Sequence, residues 1–339
     1  MNAEGAAAAP RVSVIIPTRN RARMLREALD ALAAQTLPPD AFEVIVVDNC
    51  STDGTPQMMA ALAPELPFRV LYHVMPSNRG PARSRNTAAR LARAPILAFT
   101  DDDCRPDREW LARTVAAFDD PAVALASGKV LFKPEQWGKA GFFARDGREV
   151  FEEHSTYTWS NSAYRRDVFD ALGGSDESLC LPDFRNRVVD CGDTDLAWRL
   201  KEAGHRNVFV PEAVVYHELE SMKPIDWVCE PLRLFVVAEL VRRHPQLRGA
   251  LLYKGLFFNR ANVLLYLAVV GLLLAPVASP WFALAAAPLA IWSVRLLWPV
   301  LSWSSLPKLV PQCGLLALRQ SMLCLAMIYG SVRFRSIVL

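Results

Sequence analysis

Two hydrophobic rhythms alternate along the first third of the chain. Phe68–His73 reads as a strand, and the short runs Arg11–Pro17, Phe42–Val47 and Pro95–Thr100 are largely apolar stretches. That is the character of strands buried on both faces of a parallel sheet. Between them the spacing turns helical. Met24, Leu25, Ala28, Leu29 and Leu32 predict a helix over 22–34, broken by Pro38-Pro39. A second helix is expected from Thr55 to Leu62, with Ser51, Thr52 or Asp53 as its cap, and a third over Ala82–Ala92. Strand alternating with helix in this order predicts an α/β fold with a Rossmann-like, mostly parallel central sheet flanked by helices.

The pattern then loosens. Strands are expected at Val123–Ser127 and Lys129–Phe132, either side of Gly128, and at Thr156–Tyr164. A helix over Arg166–Leu172 stops at Gly173-Gly174, and another begins in Asp190–Leu200 and closes at Gly204. Asn207–Val210 and Ala213–Tyr216 read as two short strands, the second running into His217-Glu218. After residue 260 the apolar runs lengthen. Ala261–Ser279 and Trp281–Val294 contain no charge, and Ser279-Pro280 between them reads as a hairpin. Each approaches the ~20 residues needed to cross a bilayer, and Trp281, Trp292, Trp298 and Trp303 suit interfacial belts. A third run, Cys313–Val332, carries Arg319 and reads as a span, a re-entrant segment or an interfacial helix. Arg242, Arg243, Arg248, Lys254 and Arg260 precede the first run. The positive-inside rule then keeps the preceding part of the chain cytoplasmic, at a cytoplasmic or inner membrane. Lys308, Arg333 and Arg335 favour the same side, hence an even number of crossings with the third run in the interface.

Composition narrows the function. With 339 residues, 52% hydrophobic, the chain can form one large globular domain plus an appendage. A net charge of +3 is too small for a nucleic-acid footprint. Seven scattered cysteines with no CxxC pair argue against a disulfide framework or zinc site and fit a reducing compartment. Residues 1–10 carry an acid and no apolar core, so they read as a disordered tail rather than a signal peptide.

Chemistry gathers at strand ends. The run APILAFTDDDCRPD ends a buried strand in Asp101, Asp102 and Asp103, where open α/β sheets bind ligands. An acidic turn capping the next helix is the purely structural alternative. Oxygen-only ligands suit Mg²⁺ or Mn²⁺ alongside substrate phosphates. Loops after Pro17, Val47 and Thr100 share that sheet edge and bring Arg19, Asp48 and Asp53 towards the same acids. The chain has no GxGxxG after its first strand and no GxxxxGK[ST], which removes the usual dinucleotide and P-loop signals. Asp193 and Asp195 fall in the first turn of a helix, where a dipole favours them. Trp159 reads most simply as core.

The segments VSVIIPTRNR, VIVVDNCSTDGT, NRGPARSRNTA, ILAFTDDDCRP, NSAYRRDVFDALGGSDE and GDTDLAWRLKEAGH follow one another between Val12 and His217. In that order they resemble the family 2 inverting glycosyltransferases of GT-A fold. The resemblance implies a hexosyltransferase-type enzyme taking a nucleotide-sugar donor. Pro17, Thr18 and Arg19 would line the nucleotide pocket, Asp48 would bind the base with Asp53 nearby, and Arg83 would reach the nucleotide. Asp101 and Asp103 would be the outer acids of the DxD motif, with Asp102 between them. Asp103, with Asp101 and His217, would hold the metal. Asp193 would be the general base, while Trp159, Asn161, Asp176 and Asp195 would flank the sugar and acceptor. The chain departs from the pattern at Gly192, where the family has glutamate. The implied layout is a catalytic domain over 11–225, split into a nucleotide half (11–107) and an acceptor half (108–225). A basic connector (226–260) and membrane-associated helices (261–335) follow. The implied acceptor is a saccharide, or a lipid-linked glycan of cell-surface polysaccharide synthesis. Two alternatives stay open: a sugar-phosphate nucleotidyltransferase, although PTRNRAR lacks the glycine-rich loop, and an inactive membrane scaffold, supported by Gly192.

Overall fold

The structure, a computed structural model, describes residues 9–137, 141–144, 149–297 and 306–339. Trp298 and Trp303 of the expected belt and most of the expected N-terminal tail lie outside the described residues. The chain divides into two units. One runs to Gly141 and includes Asp146–Leu181 and Val188–Glu220; the other comprises Phe142–Arg145, Pro182–Arg187 and Ser221–Leu339.

In the first unit the strands are β1 (Val12–Thr18), β2 (Phe42–Asp48), β3 (Arg69–Val74), β4 (Ile96–Phe99), β5 (Cys104–Pro106), β6 (Val123–Phe132), β7 (Ser162–Arg165), the ribbon strands β8 (Cys180–Pro182) and β9 (Val188–Asp190), and β10 (Arg206–His217). Its helices are α1 (Ala22–Ala33), α2 (Thr55–Leu62), α3 (Pro81–Leu91), α4 (Trp110–Ala116), α5 (Arg166–Ala171) and α6 (Gly192–Glu202). Eight strands form one sheet in the order β3-β2-β1-β4-β7-β6-β10-β5. β1 pairs in parallel with β2 and β4, and β6 with β10, while β7 runs antiparallel to both of its neighbours. The mostly parallel α/β fold expected from the pattern is what forms.

Side chains alternate across β1, so the two faces acquire separate cores. Val12, Val14 and Ile16 pack with Leu25, Leu29 and Leu32 of α1. Ile15 packs on the other face with Ala88 and Ala89 of α3 and with Phe99. Phe99 also meets Trp159, Tyr164 and Phe169 at ring separations of 4.8, 5.8 and 5.5 Å. Each such fully buried side chain contributes about 1.5–3 kcal/mol through burial.

Three expectations change. The strand expected at Thr156–Tyr164 is instead a 3₁₀ turn, Trp159–Asn161, followed by β7. The Thr158 hydroxyl accepts from the Ser160 N–H, and the Ser162 hydroxyl donates to the Thr158 carbonyl. These local bonds compete with the sheet ladder. The two strands expected around Gly128 are one, β6, because a Cβ at Gly128 would stand 2.1 Å from the Ala213 carbonyl oxygen of β10. The two strands expected after Asn207 are also one, with a bulge between Val210 and Val214. Pro211 has no N–H to give the ladder, and the bulge absorbs it.

The second unit is helical: α7 (Pro224–Cys229), α8 (Val237–Arg243), α9 (Leu247–Leu251), α10 (Arg260–Leu274), α11 (Ala287–Leu297) and α12 (Leu306–Phe334). The first two apolar runs give short helices. α10 has 15 residues, about 22 Å at 1.5 Å each, and α11 has 11. The third run is the long one. Among the described residues Val310–Phe334 is the one helix long and apolar enough to cross a membrane. The third run, open as a span, a re-entrant segment or an interfacial helix, has the length of a span. On one side of α12, Arg319 lies 4.4 Å over the Trp227 ring and donates to the Trp227 carbonyl, and Gln320 donates to Asn262 at 2.6 Å. On the other side Val310, Leu318, Leu325, Ile328 and Val332 are exposed, as are Leu267, Val270 and Leu273 of α10.

Candidate active site

β4 delivers Thr100 and the three acids to the carboxyl edge of the sheet. Their mutual repulsion is relieved by two arginines, Arg85 on Asp101 and Arg21 shared by Asp102 and Asp103. Asp101 accepts from Arg85 at 2.7 Å and from the Ser160 hydroxyl at 2.8 Å. Burial raises the Asp101 carboxyl, but Arg85 and Ser160 more than reverse this and hold it below the usual range. Asp102 accepts from the Thr18 hydroxyl at 2.7 Å and from Arg21 at 3.0 Å. It is nearly buried, and desolvation pushes it up to about 6. Asp103 accepts from the same Arg21 nitrogen at 2.7 Å through Oδ2, while its Oδ1 lies 3.4 Å from His217 Nε2.

The loops after β1 and β2 are sewn together. Asn20 takes the left-handed conformation (φ 54°), donates its N–H to Ser51 and accepts from the Thr52 N–H at 2.7 Å. Asp53 accepts from the Thr55 N–H and hydroxyl, at 3.0 and 2.6 Å, which fixes the turn into α2. Asp48 is fully buried and accepts from the Ser51 N–H at 2.7 Å and from the Tyr72 hydroxyl. Asn49 reaches across to Asn78 at 2.7 Å and accepts from the Arg79 N–H at 3.0 Å. This places the loop before α3 beside the same edge. Pro17 and Thr18 close β1, and the Arg19 side chain is exposed.

On α3 the two arginines separate. Two residues apart on a helix face nearly opposite ways. Arg83 is half-exposed, 3.6 Å from Glu177. Arg85 is buried, bonded to Asp101 at one end and to Asp190 at 2.8 Å at the other, with its guanidinium 5.0 Å over the Trp159 ring. The sequence reading named Arg83 and missed Arg85. The available signal was the small, buried face of α3, formed by Ala82, Ser84, Ala88 and Ala89.

Asp190 ends β9 and accepts the Gly192 N–H at 2.9 Å. Asp193 stands in the first turn of α6, part-exposed, with Thr194 N–H on its Oδ1 at 2.7 Å. Burial, then the neighbouring charge of Asp190, pushes its carboxyl up to about 7. A carboxylate so tuned can take a proton near neutral pH. A side chain at 192 would crowd its neighbours. A Cβ there would lie 2.6 Å from the Ser175 hydroxyl and 3.1 Å from the Asp190 carboxylate.

The expected sugar-side residues divide. Asn161 is engaged in the frame: its amide donates at 2.8 Å to the Lys129 and Ala213 carbonyls and accepts from the Trp110 indole. Asp195 is likewise buried in a 2.8 Å pair with Arg199, whose guanidinium also bonds the Leu172 and Gly174 carbonyls. Trp159 sits in the aromatic core beneath Arg85. Asp176 accepts the Ser178 N–H at the head of a 3₁₀ turn.

Ligand atoms of Asp103, Cys104 and His217 lie within 4.8 Å of one another. Burial pushes the Cys104 thiol up, so it remains a neutral, weak ligand. His217 Nδ1 is 2.8 Å from the Glu218 carbonyl, an acceptor, so Nδ1 carries the proton. The other ring nitrogen, Nε2, faces Asp103 Oδ1 at 3.4 Å, which sets an imidazole nitrogen and a carboxylate oxygen side by side. The carboxylate oxygen suits Mn²⁺ or Mg²⁺, and the imidazole nitrogen favours the softer Mn²⁺ of the two. Asp101, expected as a further ligand, is outside this group and already bonded through both oxygens.

Known proteins resemble this chain over the same region. The glycosyl transferase family 2 profile matches residues 13–173. A glycosyltransferase of Haloferax volcanii is 30% identical over 213 residues, 61% of this chain and 67% of its own length. The pre-mycofactocin glycosyltransferase of Mycobacterium tuberculosis is 30% identical over 261 residues, 72% of this chain and half of that one. A mannosyltransferase of Pyrobaculum calidifontis, solved with GDP-Man and Mn²⁺, has a TM-score of 0.56 at 22% identity, covering 96% of this chain and 87% of its own. That likeness is one of fold.

Proposed function

The chain belongs to glycosyl transferase family 2, and from that premise we propose a metal-dependent, inverting transfer of a sugar from a nucleoside diphosphate to an acceptor hydroxyl or phosphate. The observation that carries this reading is Arg85, which joins the acid at the tip of β4 to the acid three residues before Asp193. One buried cation thereby ties Asp101 of the acidic cluster to Asp190, whose charge acts on the candidate base Asp193. Asp48 and the loops after β1 and β2 receive the nucleoside. Asp103 and His217 would hold a divalent cation, which supplies charge neutralisation for the departing diphosphate. Asp193 takes the acceptor proton during attack. A single displacement inverts the anomeric carbon, so no carboxylate nucleophile is required. The Mn²⁺ and GDP-Man of the Pyrobaculum calidifontis enzyme support a nucleotide-sugar donor and a divalent ion here.

The acceptor in this proposal is a lipid-linked glycan of cell-surface polysaccharide synthesis. Support for a membrane comes from the apolar α12 and the exposed apolar side chains of α10, and Arg242, Arg243, Arg248, Lys254 and Arg260 favour the cytoplasmic side of a cytoplasmic or inner membrane for the catalytic unit. The test is donor turnover on membranes with Mn²⁺ or Mg²⁺ and a panel of nucleotide sugars. Release of nucleoside diphosphate is the expected result. Pyrophosphate release would point to a nucleotidyltransferase, and absence of both turnover and binding to a scaffold. Asp103→Ala should remove metal-dependent donor binding, whereas Asp193→Asn should keep binding and stop transfer; the opposite pattern overturns the assigned roles.

A further inference from the structure

We propose that Lys133, with Gln136, is a positioning residue for the metal site, acting through Glu218 to present His217 Nε2 to the cation. This rests on the reading of Asp103 and His217 as metal ligands. His217 is the last residue of β10, next to an edge strand of only three residues, and such chain ends fray. Here the end is clamped from several sides. The Lys133 N–H donates to the His217 carbonyl at 3.3 Å, and the Glu218 N–H donates to the Asp103 carbonyl at 3.1 Å. Beyond the strand, the peptide that follows His217 is held by side chains. Lys133 Nζ bonds Glu218 Oε2 at 2.6 Å and Glu27 Oε2 at 2.9 Å. Gln136 donates to Glu218 Oε1 at 3.3 Å and to the Leu219 carbonyl at 3.2 Å, and accepts the Leu219 N–H at 2.7 Å.

The Glu218 carbonyl is the acceptor that fixes the tautomer of His217. Whatever holds residues 218 and 219 therefore sets both the protonated nitrogen and the aim of the ring. An outer-shell group of this kind typically changes metal affinity 10–100-fold when removed. Lys133 is an unusual residue for a merely structural part. Its side chain is 4% exposed, in the wall of a cavity of about 450 Å³ lined also by Arg23, Glu27, Arg105 and Glu135. A buried ammonium in a wall needs a reason, since it is costly unless fully paired. Its two carboxylate partners come from α1 and from the residue after His217, so it ties the ligand-bearing end of β10 to the frame of the first unit.

The experiment measures Mn²⁺ binding to the full chain, without donor, from the electron paramagnetic resonance signal of the free ion. Melting in EDTA is followed in parallel. Expected results are at least tenfold weaker binding for His217→Ala, about tenfold for Lys133→Met, recovery in Lys133→Arg, and a smaller weakening in Gln136→Ala. Should Lys133→Met fail to fold, Gln136→Ala and Glu218→Gln, which keep the Lys133–Glu27 pair, carry the test. Wild-type binding in the clamp variants beside weakened His217→Ala overturns the proposal and leaves the metal reading standing. Wild-type binding in His217→Ala removes both. Weakened binding that Lys133→Arg does not restore, with a matching drop in EDTA melting, makes Lys133 a structural residue only.

Discussion

Asp193→Asn separates catalysis from stability more sharply than any other single change. The carboxyl is pushed up to about 7 by burial and by Asp190, against about 4 in an unfolded chain. Between those values the native protein keeps a proton that the unfolded chain has lost, so stability falls as pH rises across that window. The shift of about 3 units corresponds to a ceiling of about 4 kcal/mol at 1.4 kcal/mol per unit. The side chain is part-exposed, and water screening reduces this to about 2 kcal/mol. Asparagine keeps the acceptor for the Thr194 N–H and never ionises. The variant should therefore melt about 4 °C higher than wild type at pH 8 and within a degree or so of it at pH 4.5. In turnover the sign reverses. Wild-type kcat/KM should rise with pH towards a limb near 7 as Asp193 ionises, and the variant should lose about 10²–10⁴-fold at every pH. Melting in detergent at the two pH values, with donor turnover on the same preparations, reads both. Equal stabilisation at pH 4.5 and 8, or none at pH 8, would refute the account of a destabilised carboxylate; retained turnover would refute its role.

Two further changes probe the frame around it. Arg85→Met leaves Asp101 and Asp190 without their shared cation, and breaking a buried pair costs about 3–5 kcal/mol; a urea midpoint equal to wild type would show that Arg85 is not the link described. Gly128→Ala places a methyl group 2.1 Å from the Ala213 oxygen and 2.7 Å from Asn161 Nδ2. It should cost about 1–3 kcal/mol by overpacking, measurable as a drop in melting temperature, and an unchanged value would mean β10 can move aside freely.

What could be read from the residues was whatever depends on local pattern. β1, β2 and β4 announce themselves because both faces are buried, leaving runs with scarcely a polar residue. The positions of Asp48 and Asp101–Asp103 at strand ends follow from the same runs. The merged β6 and β10 were not legible, since their continuity depends on Gly128 and the Ala213 backbone meeting across the sheet. α12 was cut short in the sequence reading, which began the run at Cys313, whereas Pro311 and Gly314 are accommodated within one helix. Arg21 and Arg85 were hidden for a different reason. A chain with 38 lysines and arginines offers many cations near every acid in sequence. Only the fold selects which one is buried against Asp101 and Asp102.

The crowded position at Gly192 bears on how active members of such a family are recognised. Anyone sorting sequences into working and defunct by the presence of a two-letter acidic signature would discard this chain. The volume that signature's first letter would occupy is taken by a carboxylate arriving from the preceding strand and by Ser175. A carboxylate still acts on Asp193, contributed by Asp190 two positions before the signature's first letter. Fitness for the reaction is therefore better judged from neighbours in three dimensions than from neighbours in a string.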